Sequence, residues 1–125
     1  MAGALILIVE DNQKNMKLIR DVLQFQGYQT LEAETAEAGI KLARERQPAL
    51  ILMDIQLPEM DGREAMKVLK ADEKTRQIPI VAVTSFAMKG DRERLLADGF
   101  NDYLAKPVSI KELPKVVERH VSAQT

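Results

Sequence analysis

The sequence predicts an α/β fold, a doubly wound (βα)5 sandwich around a five-stranded parallel sheet in the order 2-1-3-4-5. Three observations carry this. The runs Leu5–Val9, Leu50–Met53 and Ile78–Val83 are continuously apolar, as strands buried on both faces are. The segments between them carry apolar residues at helical spacing, with capping residues and stops at their ends. Strand and helix signals alternate from end to end, with no linker, repeat or low-complexity segment. Parallel strands joined by right-handed helical crossovers allow few topologies, and the doubly wound sheet leads them.

Leu5 to Val9 is the first strand. Asn12 to Gln26 follows as a helix, with Met16, Ile19, Val22 and Leu23 on one face and Lys17, Arg20, Asp21 and Gln24 on the other. Gly27 ends it. Tyr28 to Ala33 interleaves polar residues, which suits a strand nearer an edge. Thr35 caps a second helix with Ala36, Ile40 and Ala43 on one side, and Pro48 stops it. The third strand ends at Asp54. Asp61-Gly62-Arg63-Glu64 resembles a capping box for a third helix, with Met66 and Leu69 facing inward. Ile78 to Val83 is the fourth strand. A fourth helix is expected from about Met88 to Ala97, ended by Gly99. Asp102 to Ala105 is a short fifth strand. Ser109-Ile110-Lys111-Glu112 caps a last helix running to about Val121, with Pro114 just inside it.

The 125 residues match one domain, and the formal net charge of -1 gives no bias toward nucleic acid or anionic membrane. The absence of cysteine excludes disulfides, thiolate catalysis and cysteine-ligated metal, and fits a reducing compartment. The first apolar run meets Glu10 and Asp11 at once and has no basic leader, so it reads as a strand and not a signal peptide. No apolar stretch approaches the roughly 18 residues that span a bilayer. A cytoplasmic location is expected.

In an open parallel sheet, ligands bind at the carboxyl ends of the strands. The first strand delivers Glu10 and Asp11 there, the third Asp54, the fourth Thr84 and Ser85, and the fifth Lys106 and Pro107. Alone, Asp54 reads as a turn cap; the residues gathered around it change that. Three carboxylates in one crevice repel one another, and a hard divalent cation relieves the repulsion. Magnesium suits best, because it binds through one or a few carboxylates and keeps several waters. A lysine can neutralise added negative charge, and a hydroxyl can donate to an incoming oxyanion. These are the parts of a phosphoryl-transfer site, with a carboxylate as the nucleophile that becomes an aspartyl-phosphate.

Glu10-Asp11, Met53-Asp54-Ile55 with Leu57-Pro58-Glu59-Met60-Asp61-Gly62, Thr84 after a buried strand, and Lys106-Pro107 together resemble the receiver domains of two-component signalling, the flavodoxin/CheY-like fold. The likeness covers essentially the whole chain as a single receiver domain, 1–125. Val9-Glu10-Asp11-Asn12, Asn15-Met16-Lys17, Asp54-Ile55-Gln56-Leu57-Pro58 and Phe86-Ala87-Met88-Lys89-Gly90-Asp91 are most similar to DivK-type single-domain regulators. The resemblance implies that Asp54 accepts a phosphoryl group from a phosphohistidine on a histidine kinase or histidine phosphotransfer protein. It implies magnesium held by Asp11, Asp54 and the Gln56 carbonyl, with Glu10 acting directly or through water. Glu10 stands where an aspartate is often found. Lys106 would pair with the phosphoryl group and Thr84 would hydrogen-bond it. Tyr103 occupies the position of an aromatic switch, and the Lys106–Pro107 bond is expected to be cis. The face built by helix four, strand five and helix five would change and alter binding of a downstream protein. Gln56 and Phe86 would flank the path of attacking water, with Phe86 slowing hydrolysis. The chain is then a signalling receiver that catalyses its own phosphorylation and dephosphorylation, not a metabolic enzyme.

The remaining features have plainer readings. His120, the only histidine, reads as a surface or helix-end residue. The six methionines read as core filler or surface. Lys89, Arg92 and Arg94 read as a solvated face of helix four, or else a partner-binding patch. A small magnesium-dependent phosphohydrolase would usually carry a second Asp where Gln56 stands, and would have a cap domain. An electron carrier would need a phosphate-binding loop where Glu10-Asp11-Asn12 repels phosphate. A pure interaction module would not need Asp11, Asp54, Thr84 and Lys106 together. The chain ends soon after its last helix, which fits either a stand-alone regulator or a receiver cut from a larger protein such as a hybrid histidine kinase.

Overall fold

The computed structural model describes residues 3–85 and 90–122. Five strands alternate with five helices: β1 (Leu5–Val9), α1 (Gln13–Phe25), β2 (Gln29–Ala33), α2 (Ala36–Arg46), β3 (Leu50–Asp54), α3 (Gly62–Ala71), β4 (Ile80–Thr84), α4 (Asp91–Asp98), β5 (Asp102–Ala105) and α5 (Glu112–Ser122). The sheet order is β2-β1-β3-β4-β5 and every neighbouring pair is parallel. This is the doubly wound arrangement expected from the sequence.

Strand alternation divides the core in two. Leu7, Val9, Ile51, Met53, Ile80 and Ala82 point to the side of α2, α3 and α4, where Ile40, Met66 and Leu95 meet them and Tyr103 packs partly buried. Ile6, Ile8, Leu50, Leu52, Val81 and Val83 point to the other side, against Met16, Ile19 and Leu23 of α1 and Leu113 and Val117 of α5, with Tyr28 partly buried. Every residue of β3 and β4 is buried, which explains their unbroken apolar runs. Each such Leu, Ile or Val contributes about 1.5–3 kcal/mol by leaving water. β2 forms one edge, and its polar residues meet α1: Arg20 pairs with Glu32 at 3.1 Å, and Gln24 donates to the Thr30 hydroxyl at 2.9 Å. Gly39 lets α2 approach β1, since a Cβ there would lie 2.7 Å from Val9 Cγ2.

The caps act as the sequence indicates. The Asn12 side chain accepts from the Lys14 and Asn15 amides, Thr35 from Ala38 and Asp61 from Glu64. Ser109 Oγ accepts from Lys111 and Glu112, and Pro114 falls in the first turn of α5, where a missing N–H costs little.

One start differs from expectation. β4 begins at Ile80, not Ile78, because the Ile78 amide closes a turn onto Thr75 O at 3.0 Å and Pro79 has no N–H. α4 begins at Asp91, with Gly90 before it in the left-handed conformation, φ 98°, and the expected start at Met88 lies outside the described residues. Phe86, Ala87, Met88 and Lys89, with the roles expected of them, lie outside the described residues.

Candidate functional site

The parallel register brings the carboxyl ends of four strands to one edge: Val9 lies beside Met53, Asp54 beside Val83 and Thr84 beside Ala105. Backbone bonding continues one step past the strands, from Glu10 N to Ala33 O, Ile55 N to Val83 O and Lys106 N to Thr84 O. The side chains there are therefore carried on paired backbone. Glu10 and Asp54 are each 1% exposed and Thr84 is buried, while Asp11 and Ser85 are exposed.

Asp54 is held at both oxygens. Its Oδ1 accepts the Gln56 amide at 2.9 Å, and its Oδ2 accepts Lys106 Nζ at 2.9 Å. The same ammonium lies 3.0 Å from Glu10 Oε1, an ion pair without hydrogen-bond alignment, since this buried oxygen has no hydrogen-bond partner. Glu10 Oε2 accepts the Asn12 amide at 3.1 Å. Burial pushes the Glu10 carboxyl above its ordinary value; the Asn12 amide and Lys106 oppose this, and nearby Asp54 adds to it. Burial also works against the Lys106 ammonium, but its bonds to Asp54 and Glu10 outweigh it and raise its pKa. The lysine is thus a fixed cation between two buried carboxylates.

Oxygens of Glu10, Asp11 and Asp54 lie within 4.8 Å of one another. An all-oxygen donor set suits a hard cation, and the unbonded buried Glu10 Oε1 is an acceptor that a metal or a metal-bound water would satisfy. The residues present fit magnesium. The loop after β3 is tightly constrained. Glu59 adopts a left-handed φ of 66°. A Cβ on Gly62 would lie 2.4 Å from the Asp54 carbonyl oxygen, so α3 starts directly against the backbone of Asp54. The sequence offered a signal for this close approach: a glycine at the first helical position, where glycine is otherwise unfavourable.

The structure thus gathers Glu10, Asp11, Asp54, Thr84 and Lys106 at the carboxyl end of the sheet. The Gln56 side chain is exposed while its amide faces Asp54. Tyr103 is half-buried on β5 beside Ala82. The Lys106–Pro107 bond is cis. His120 does lie near the end of α5, but it is not a plain surface residue: its Nε2 is 3.0 Å from Oδ2 of buried Asp102, which also accepts from Arg119 at 2.7 Å. This cluster sits at the opposite end of β5 from Lys106, and sequence reading missed it. Arg92 and Arg94 are exposed on α4, as expected.

Comparison with known proteins agrees with this geometry. Residues 6–118 match the response regulator receiver domain family. The polar-differentiation response regulators DivK of Brucella ovis and Brucella abortus are 47% identical over 116 residues, covering 93% of this chain and 94% of theirs. The receiver domain of the sensor histidine kinase PA1611 from Pseudomonas aeruginosa PAO1, solved with magnesium coordinated in its active-site cleft, superimposes with a TM-score of 0.88 at 39% identity, covering 97% of this chain and 99% of that one. The signal receiver domain of a signal transduction histidine kinase from Syntrophus aciditrophicus does so with a TM-score of 0.87 at 30% identity, covering 97% and 92%. The chain belongs to the response regulator receiver domain family.

Proposed function

We propose that Asp54 accepts a phosphoryl group from a phosphohistidine on a histidine kinase or histidine phosphotransfer protein, and that this chain relays the event as a change in partner binding. The observation that carries this is the Asp54 carboxylate: buried at the end of a central strand, beside two further carboxylates, and bonded to Lys106 at 2.9 Å. An Asp54 oxygen attacks phosphorus, a P–O bond forms, and the P–N bond to the donor imidazole breaks with its electron pair returning to nitrogen. Lys106 is already placed to neutralise the incoming charge. Magnesium, held by Asp11, Asp54 and the Gln56 carbonyl with Glu10 directly or through water, would supply further charge neutralisation; the magnesium-bearing cleft of the Pseudomonas relative supports this.

The Thr84 hydroxyl then donates to a phosphoryl oxygen. Its shift leaves space that Tyr103 fills, which biases two packings of one fold. The face of α4, β5 and α5 carries the change to a downstream protein. The partners are proteins of the cytoplasm, neither nucleic acid nor membrane; no helix among the described residues is long and apolar enough to cross a bilayer.

Intact-mass measurement after treatment with acetyl phosphate and magnesium tests the reading. Wild type should gain one phosphoryl group and Asp54→Ala none. No gain on wild type defeats it.

A further inference from the structure

We infer that β5 and α5 turn as a lever about a fixed hinge at the amino end of β5, so that a phosphoryl group on Asp54 moves the Lys106 end of the pair and leaves the Asp102 end in place. This deepens the proposed function and rests on it. The hinge is bonded on both faces of the sheet. Asn101 engages both backbone groups of Ile80: its amide donates to Ile80 O at 2.8 Å, and its Oδ1 accepts the Ile80 amide at 2.9 Å. The same Oδ1 accepts Lys70 Nζ of α3 at 3.2 Å, and that ammonium also donates to Ile78 O at 3.0 Å. On the other face, the buried Asp102 carboxylate accepts from Arg119 of the last turn of α5 at 2.7 Å and lies 3.0 Å from His120 Nε2. Its second oxygen accepts the Tyr103 amide at 2.9 Å. Pulling Asp102 out of this cluster would leave a buried charge without its partners.

The other end is held differently. Among the described residues, no side-chain hydrogen bond or ion pair links residues 108–117 to another element. Ser109 caps its own helix, and Val108, Leu113, Val116 and Val117 pack by apolar contact. Apolar contact has no preferred direction, so packed helices slide by small amounts; hydrogen bonds fix an angle and a distance. Lys106 carries the side-chain ties at this end, and its partners are the carboxylates of the site, Asp54 at 2.9 Å and Glu10 at 3.0 Å. Negative charge added to Asp54 re-aims this ammonium, so the polar tie at the Lys106 end is the one that phosphorylation changes. From Asp102 to Lys106 an extended strand covers roughly 13 Å, which sets the length of the lever.

Two measurements decide this. Crystal structures of the protein with magnesium alone, and with magnesium and beryllium trifluoride as a mimic of the phosphoryl group, are superposed on β1, β2 and β3. The backbone of Lys106 and Glu112 should move about threefold further than that of Asp102 and His120, with the Asp102 contacts kept. Equal shifts along β5 and α5, no shift, or a broken Asp102 cluster overturns the hinge. Hydrogen exchange on the unphosphorylated protein without magnesium tests it independently of the phosphoryl reaction. Asp102→Asn should speed exchange of the His120 and Val121 amides about tenfold and leave Val116 and Val117 within about twofold. An increase spread evenly along α5, or none, overturns the inference. If beryllium trifluoride does not bind Asp54, the proposed function fails, and hydrogen exchange alone still decides whether the hinge exists.

Discussion

At the residue scale, Asp102 shows how one carboxylate organises a region far from the site. It begins β5, is 8% exposed, and accepts from its neighbour Tyr103 N at 2.9 Å and from Arg119 at 2.7 Å, with His120 at 3.0 Å. These contacts fasten the last turn of α5 to the base of β5. Burial alone would raise its pKa, but the bonds to His120, the Tyr103 amide and Arg119 prevail and lower it. The folded value therefore lies below the unfolded one. Its stabilisation is complete above the ordinary carboxylate value of about 3.9 and is lost as pH falls through the folded value. Asp102→Asn should cost about 1–2 kcal/mol at pH 7. Urea titrations should also show a shallower fall in its stability below pH 4 than in wild type. None of this was legible in the sequence. The partners lie 17 and 18 positions away, and an aspartate before a short strand carries no mark of what will fold onto it. Glu10 and Asp54 were legible, because each directly follows or ends a strand whose apolar run is plain, and Lys106 because it precedes Pro107 after the short fifth strand.

At the scale of elements, starts with a capping side chain and ends marked by glycine or proline could be read, and a left-handed cap carried by an ordinary residue could not. Thr35, Asp61 and Ser109 announce α2, α3 and α5 by chemistry that sequence displays. The close of α2 is different. Gln47 adopts a left-handed φ of 49° and donates to Ala43 O at 3.0 Å, a position that glycine usually fills. Pro48 marks where the helix stops, but the left-handed turn at Gln47 has no mark in its residue type. Gln47→Gly should raise stability by about 0.5–1 kcal/mol in thermal unfolding, since relief of the left-handed strain exceeds the added freedom of the unfolded chain. The onset of α4 has no side-chain cap either: a glycine at φ 98° precedes it.

At the scale of the whole molecule, burial is uneven. β3 and β4 are buried throughout. α4 offers one buried residue, Leu95, and its Asp98 reaches Arg63 of α3 only at 3.8 Å. Local opening follows buried contact, so hydrogen exchange should be roughly a hundredfold faster for α4 amides than for β3 amides. Equal protection of the two would show that α4 is held by more than Leu95 and this ion pair. The topology explains why the site could be read at all: a parallel sheet collects residues distant in sequence at one edge, without any contact between them having to be guessed.

The division of the core into two layers has an optical consequence. The chain has two tyrosines and no tryptophan, and the tyrosines fall on opposite sides of the sheet, Tyr28 with α1 and α5 and Tyr103 with α2, α3 and α4. Its tyrosine absorption is therefore the sum of one chromophore from each layer. Replacing Tyr28 with phenylalanine would leave a protein whose intrinsic tyrosine emission comes from β5 alone, so that movement of the edge strand that leads to Lys106 could be followed without any added label.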